Sequence, residues 1–430
     1  MRTHYSKELT RDMIGQKVTI AGWVAEIRSF GGIKFLVIRD REGNSQVTIK
    51  KDSKLSKLVD EIAKEYVVSV TGVVQEMKGD SKRVEIIPEK IEVLNRAESP
   101  LPLDISGKIE SDLDARLNER FADLRRHDIR AIFIVKNEVL IGIREYLDDN
   151  GFIEVHTPKI VAAGAEGGAS LFALEYFGQR AYLAQSPQLF KQTLMATGLD
   201  RVYEISPAFR AEKSETIRHM AEFLSFDAEM AFIKSQEDVL EVLEGAVAYS
   251  LEHLKKHAKP ELEYLKAEVK IPELPLPRLT YSEAIKLLRK NGKNVKEGDD
   301  IDTEMEKELG SIMEEKGHEF YYIVDYPEKI KPFYIMEKGD YSCSFDMMCC
   351  GTELASGGQR EHRYEHLVRR MKKLKLNPSN FEFYLKAFKY GMPPHGGWGF
   401  GIDRYVQKIL KLSNIREAVL FPRDRKRLIP

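Results

Sequence analysis

Ser99-Pro100-Leu101-Pro102 breaks this chain of 430 residues into two stretches whose hydrophobic periods differ. Proline fixes φ, removes a backbone donor and biases the residue before it away from helical backbone. Regular structure therefore stops here, and the pattern dictates two bodies joined by a stiff linker. We take 1–100 as the first domain, 101–130 as linker or hinge, and 131–430 as the second domain, with a small insertion at about 270–330. The length agrees, since single hydrophobic cores stop growing at about 250–300 residues.

Before the break the period is two. Val18, Ile20, Gly22 and Val24 alternate, Phe30-Gly31-Gly32 makes a tight turn, and Phe35–Ile38 and Gln46–Ile49 flank a second turn. A helix is predicted over Lys54–Lys64, then strands over Val67–Gln75 and Val84–Ile87. Strands, one helix and more strands in so short a span fit a five-stranded OB barrel, whose face binds oligonucleotides. After the break Ile132, Val135, Val139, Ile143 and Leu147 recur at helical spacing. Asn150-Gly151 ends that helix, and Phe152–Val155 reads as a strand stopped before Pro158. Residues 235–270 read as helical, Pro272–Pro277 as a hinge, and 281–325 as a highly charged helical insertion.

Composition excludes several classes. No apolar run approaches the ~18 residues of a membrane span, and no apolar stretch after Met1–Ser6 makes a signal peptide. Cys343, Cys349 and Cys350 are too few for a disulfide framework and lack paired zinc spacing. They read as buried thiols in a reducing cytoplasm. Net charge is −1, so a nucleic-acid partner must be met by local basic patches.

Three segments carry chemistry. Phe209-Arg210-Ala211-Glu212 with Arg218–Phe223, and Gly396–Arg404, each set arginine beside carboxylates or glycines. Arginine offers a rigid fork matched to phosphate and carboxylate oxygens. Glycine lets backbone approach a flat ligand closely. In the third segment Asp346 and Glu353 stand seven apart in a Phe/Met/Cys-rich stretch. Two carboxylates there are costly unless compensated. A Mg2+-bridged triphosphate would compensate them, with Ser356 adding an oxygen; two salt bridges are the alternative.

The first two of these segments resemble motifs 2 and 3 of the class II aminoacyl-tRNA synthetases, and the helix and strand ending at Pro158 resemble motif 1. An N-terminal OB domain marks the subgroup for aspartate, asparagine or lysine. Gln185–Lys191 and Ser356–Arg360 look like its aspartyl branch, in the archaeal/eukaryotic form. The resemblance implies an α+β fold: an OB-fold β-barrel joined to an antiparallel β-sheet core flanked by helices. It implies ATP-driven activation of L-aspartate with Mg2+, then transfer to tRNA(Asp).

The residue roles follow from the same resemblance. Arg210 would lie on the α-phosphate, and Glu212 and Phe223 on the adenine. Arg218, His219 and Met220 belong to the motif-2 loop and ATP site; Gly401, Ile402, Asp403 and Arg404 close the other side. Aspartate would meet Glu166, Gln188, Lys191, Arg210, Asp227, Ser356 and Arg360, with Lys191 and Arg360 as cations for its side chain. Arg28, Phe35, Gln46 and Glu85 would read the anticodon. In strict archaeal relatives a Trp follows the Gly-Trp-Val segment, and in relaxed ones a His; here that position is Ala25. The hairpin holding Ser81 and Lys82 also departs from both patterns. A missing bulky side chain removes a means of rejecting the wrong base, so tRNA(Asn) is read as a second substrate. A homodimer is expected through the motif-1 helix and Pro158, whose apolar face needs a partner. The Arg423–Arg427 tail reads equally as a phosphate contact or a solvated end. An asparaginyl enzyme is disfavoured by Lys191. Intact Arg210, Glu353 and Arg404 argue against a non-charging RNA-binding paralog.

Overall fold

A computed structural model describes residues 2–80, 82–162, 171–211 and 219–430. It forms two compact units, Met1–Asp104 and Ile105–Pro430. In the first, β1 (Lys17–Phe30), β2 (Ile33–Arg39), β3 (Asn44–Ile49), β4 (Val67–Glu76) and β5 (Val84–Asn95) close a barrel in the order β1-β2-β3-β5-β4. Alternation drives it: Val18, Ile20, Leu36, Ile38, Val47, Ile49, Val68 and Val70 fill the interior. The helix predicted over 54–64 is only α1 (Ser56–Asp60), whose Val59 joins the barrel core. Strand β5 runs through Pro88 instead of ending at Ile87. The register slips between Thr71 and Gly72 opposite this proline, and at such an irregularity a strand tolerates the missing donor. A second slip lies between Val24 and Glu26, which puts Ala25 in a bulge.

The second unit starts earlier than the sequence suggests. The expected 101–130 linker already contains α2 (Leu113–Asn118) and α3 (Arg120–Asp123). Arg120 is buried and donates to Asp123 Oδ2 at 2.5 Å and to the carbonyls of Val419 and Leu420 at 2.8 and 2.9 Å. These bonds anchor 113–123 to the chain's C-terminal segment, a pairing that no local pattern reveals.

Helix α4 (His127–Asp149) buries Ile132, Val135, Val139, Ile143 and Leu147 in the core beneath the main sheet. After β6 (Ile153–Glu154) come β7 (Ile160–Val161), β8 (Ala173–Tyr176) and β9 (Gln179–Leu183), which form a small sheet. Then follow α5 (Gln188–Leu194), β10 (Arg201–Phe209), β11 (Glu222–Ala231), α6 (Gln236–His257) and α7 (Lys259–Leu265). Val239, Leu243, Val247 and Leu251 of α6 share α4's core cluster. The apolar face of α4 is thus covered within the chain. This corrects the premise that it needs a second subunit, although Pro158 itself is exposed.

The remaining elements are β12 (Arg278–Thr280), α8 (Tyr281–Lys290), α9 (Thr303–Glu315), β13 (Phe320–Val324), the pair β14 (Glu337–Lys338) and β15 (Tyr341–Ser342), β16 (Ser344–Cys349), β17 (Glu353–Gln359), α10 (Tyr364–Lys373), α11 (Glu382–Lys389), β18 (His395–Gly401) and α12 (Ile402–Ile409). Among the described residues eight strands form one sheet, in the order β12-β13-β16-β17-β18-β11-β10-β6. It is antiparallel except at its edges, where β12–β13 and β10–β6 pair parallel. The expected insertion at 270–330 therefore needs correction: β12 and β13 belong to the main sheet, and α8 and α9 pack on them through Ile285, Leu288, Leu309 and Met313. No described helix is long and apolar enough to cross a membrane.

Candidate active site

Four adjacent strands make the floor of a cleft. Register sets Asp346 of β16 opposite Ser356 of β17, Ser356 opposite Gly399 of β18, and Gly399 opposite Asp227 of β11. In the next row Gly397 faces both Gly358 and Glu229. Strand side chains alternate faces, so Phe223, Ser225, Asp227 and Glu229 share the cleft side. Phe226, Ala228 and Met230 enter the core. Glycine keeps the floor open: a Cβ at 397 would strike Glu229 Oε2, and one at 399 would lie 3.1 Å from Asp227 Oδ1.

The cleft encloses a cavity of about 270 Å³. Arg210, His219, Met220 and Phe223 line it from the β10–β11 side, and Gly401, Asp403 and Arg404 from the start of α12. Gln188, Asp227, Glu353, Ser356 and Arg360 complete its wall. Three expected contacts stand behind that wall. Ile402 is core, Lys191 lies under Asp227, and Asp346 is held by Lys331 Nζ at 2.9 and 3.0 Å. Asp403 is committed too: it accepts from Leu224 N at 2.8 Å and pairs with Lys136. Glu166, Glu212, Arg218 and Ser81 lie outside the described residues.

The pocket's charges differ from expectation. Arg360 donates Nε and Nη2 to Glu229 at 2.9 and 3.1 Å. Lys191 donates to Asp227 Oδ1 at 3.0 Å and to Trp398 O at 2.5 Å, and stands 3.7 Å from Glu229. Ser225 Oγ donates to Asp227 Oδ2 at 2.5 Å. The two cations are not bare charges awaiting a substrate, because an unpaired charge at this depth is strongly destabilising. Burial alone would raise the Glu229 carboxyl; Arg360 and Lys191 outweigh it and hold it below the usual range. The sequence reading missed Glu229, although strand alternation from Asp227 places both on one face.

Behind Arg360, His395 donates Nδ1–H to Pro393 O at 2.8 Å and accepts at Nε2 from Gln192 at 3.0 Å. Those bonds assign a neutral tautomer, and burial pushes its pKa down to about 4. Gln192 Oε1 accepts from Gln188 Nε2 at 2.8 Å and from Tyr384 OH at 3.2 Å. Gln185 lines the cavity, and its buried amide has no hydrogen-bond partner among the described residues.

At the far end Arg404 Nη1 donates to Glu353 O at 2.7 Å, and the Arg210 guanidinium lies 5.3 Å from the Phe223 ring centroid. Burial and then Asp346 raise the Glu353 carboxyl above its usual range, against the pull of Arg404, Lys331 and Arg210. A carboxyl so perturbed gains from a bound cation. Asp346, Glu353 and Ser356 offer only hard oxygens on adjacent strands, a donor set that fits Mg2+. The salt-bridge alternative does hold for Asp346. No motif marked its partner Lys331, which follows a short 3-10 turn (Glu328–Ile330).

The barrel carries its own cluster. Arg28 of β1 pairs with Phe35 of β2, and Phe35 with Thr48 of β3. Phe35 is half-buried on the outer face, between the interior residues' positions. Glu85 is buried and accepts from Gln46 Nε2 at 2.9 Å and Thr48 Oγ1 at 2.6 Å. Register thus brings Arg28, Phe35, Gln46 and Glu85 to one face. Lys82 lies in the β4–β5 turn, its backbone N bonded to Asp80 Oδ1 at 3.1 Å. The basic tail is tied down at its two ends, where Arg423 O accepts from Ala221 N at 2.8 Å and Arg427 Nη1 donates to Asn118 Oδ1 at 2.7 Å, while Arg425 and Lys426 between them are exposed.

Residues 112–425 match the family of class II tRNA synthetases (D, K and N), and residues 18–94 the OB-fold nucleic acid binding domain. The aspartate–tRNA(Asp) ligase of Pyrococcus furiosus is 51% identical over 437 residues, covering 100% of both chains. The aspartate–tRNA(Asp/Asn) ligase of Methanopyrus kandleri is 48% identical over 434 residues, again covering 100% of each. The crystal structure of asparaginyl-tRNA synthetase from Pyrococcus horikoshii complexed with asparaginyl-adenylate superposes with a TM-score of 0.93 at 34% identity, over 100% of both chains.

Proposed function

This chain belongs to the class II aminoacyl-tRNA synthetases of the aspartate, lysine and asparagine group, and we propose that it activates L-aspartate with ATP and esterifies it to tRNA. The α-carboxylate oxygen attacks the α-phosphorus, the bond to the β-phosphate bridging oxygen breaks, and pyrophosphate leaves. A terminal ribose hydroxyl of tRNA then attacks the aspartyl carbonyl and AMP leaves. No protein nucleophile takes part, so catalysis is alignment and charge neutralisation.

Arg210 neutralises the α-phosphate and Arg404 the outer phosphates, while Phe223 and Arg404 face the adenine. Asp346, Glu353 and Ser356 would hold Mg2+, which when bound neutralises phosphate charge. Asp227 receives the substrate ammonium, and Gln185 and Gln188 supply amide contacts. Arg360, with Nε and Nη2 on Glu229, keeps Nη1 for the side-chain carboxylate. Lys191 stays a buried counter-ion.

One observation carries aspartate over asparagine. In the adenylate, whose α-carboxyl is an uncharged mixed anhydride, the pocket holds three cations (Lys191, Arg360 and the substrate ammonium) against Asp227 and Glu229. An aspartate side chain balances that set and an asparagine side chain does not. ATP–pyrophosphate exchange supported by aspartate, and not by asparagine or lysine, is the expected result; robust exchange with asparagine would sink this reading.

The barrel face reads the anticodon, with Phe35 as the stacking platform. Named relatives of both tRNA ranges lie within a few points of identity of one another, so the reading of tRNA range rests on Ala25 in its bulge: a small side chain leaves the third base unsorted, and both tRNA(Asp) and tRNA(Asn) are charged. An efficiency on the tRNA(Asn) transcript about a thousand-fold lower, about 4 kcal/mol of discrimination, would make the enzyme strict. The reading includes a cytoplasmic homodimer formed around exposed Ile153, Pro158 and Ile160. A monomeric mass in sedimentation at micromolar concentration would refute the dimer.

A further inference from the structure

Away from the cleft, α4 and α6 cross at Gly142. A Cβ there would lie 2.9 Å from both Ser250 Cα and His253 Cβ, so glycine is what permits this approach. The approach presses His253 against α4, its side chain 8% exposed. Its Nε2 lies 3.0 Å from Glu138 and its Nδ1 2.9 Å from Glu145. His257, one turn on, stacks its ring on His253 with centroids 4.3 Å apart. One ligand atom from each of Glu138, His253 and His257 lies within 4.8 Å of the other two.

The amino-acid activation chemistry uses none of these groups. We propose that Glu138, His253 and His257 form a binding site for a divalent transition-metal ion, Zn2+ by donor chemistry. Two imidazole nitrogens, one carboxylate oxygen and an open position make a three-ligand zinc set. Mg2+ and Ca2+ call for a shell of oxygens instead. Histidines at i and i+4 share one helix face, and Glu138 faces them from the neighbouring helix. Glu145 is the partner that a metal-bound imidazole needs: it takes the Nδ1–H of His253 and so turns Nε2 toward the ion. Tyr249 OH, 3.3 Å away, fixes Glu145 in turn. His257 is exposed, so its ring can close on the ion without disturbing the core, and water fills the open position. An ion here ties α4 to α6.

The test uses the full chain stripped with EDTA, without substrates, so that it stands apart from the charging reaction. Zn2+ and Co2+ titrations of the unmutated protein should show one equivalent bound, with a rise in thermal midpoint. His257→Gln and Glu138→Gln should each weaken it more than about 100-fold, and Glu145→Gln by about 10–100-fold. The His257 variant, altered at the surface, should melt like the metal-free parent and no longer respond to Zn2+. Bound Co2+ should show d–d bands without thiolate charge transfer. The site does not exist if the unmutated chain binds no equivalent, or if the His257 and Glu138 variants bind like the parent. It is equally overturned if the equivalent is lost in Glu353→Gln, or in a Cys349→Ser, Cys350→Ser double variant.

Discussion

In the cleft, Arg360 and Glu229 show 2% and 0% of their side chains to solvent, and Lys191 and Asp227 3% and 2%. On the barrel, Arg28 shows 61% and its partner Glu26 42%. A buried pair cannot lose one member without stranding the other, whereas an exposed pair contributes little and exchanges partners readily. The cleft is therefore set before substrate arrives, and the charges proposed to meet it are also structural. The barrel face leaves its arginine exposed, as the proposed nucleic-acid contact requires.

The largest expected effect strikes at that contrast. Arg360→Leu should abolish pyrophosphate exchange and destabilise the protein by about 3–5 kcal/mol, since Glu229 is left buried and unpaired. Adding Glu229→Leu should return most of the stability, in chemical denaturation, and none of the activity. An Arg360→Leu protein as stable as its parent would break the comparison. Next, Arg210→Ala should slow activation by about 10²–10³-fold while tRNA affinity holds.

His395 sharpens the contrast through pH. Its pKa of about 4 lies below the ordinary 6.5, so on acidification the unfolded chain takes up the proton first. Its contribution is intact above pH 6.5 and declines toward pH 4, a loss of about 3 kcal/mol. His395→Gln should flatten the stability profile in that window; parallel profiles would show the ring to be irrelevant. The smallest effect belongs to the barrel. Phe35→Ala should weaken tRNA binding by about 1–3 kcal/mol, the loss of one stack, and leave exchange untouched.

The barrel was almost wholly legible in the sequence, because alternation and turn glycines are local signals. It failed at Pro88, where the slip opposite Thr71 and Gly72 admits a proline that local rules read as a stop. In the cleft, Arg210 and Arg404 are legible as residue types suited to phosphate, Asp227 to an ammonium and Glu353 to a metal ion. Their partners are not. Lys331 meets Asp346, and Glu229 meets Arg360, through pairing between distant segments. The same blindness made the apolar face of α4 look bare, although α6, about a hundred residues on, covers it.

Strand β18 has a consequence for how the protein is made. It lies between β17 and β11, yet it is the last strand of the sheet in chain order. During synthesis the ribosome releases both neighbours first, each with one hydrogen-bonding edge open. Exposed edges invite pairing with other chains. The nascent protein therefore passes through an interval in which its sheet is split in two, and the glycine strand that floors the cleft also closes the seam between the halves.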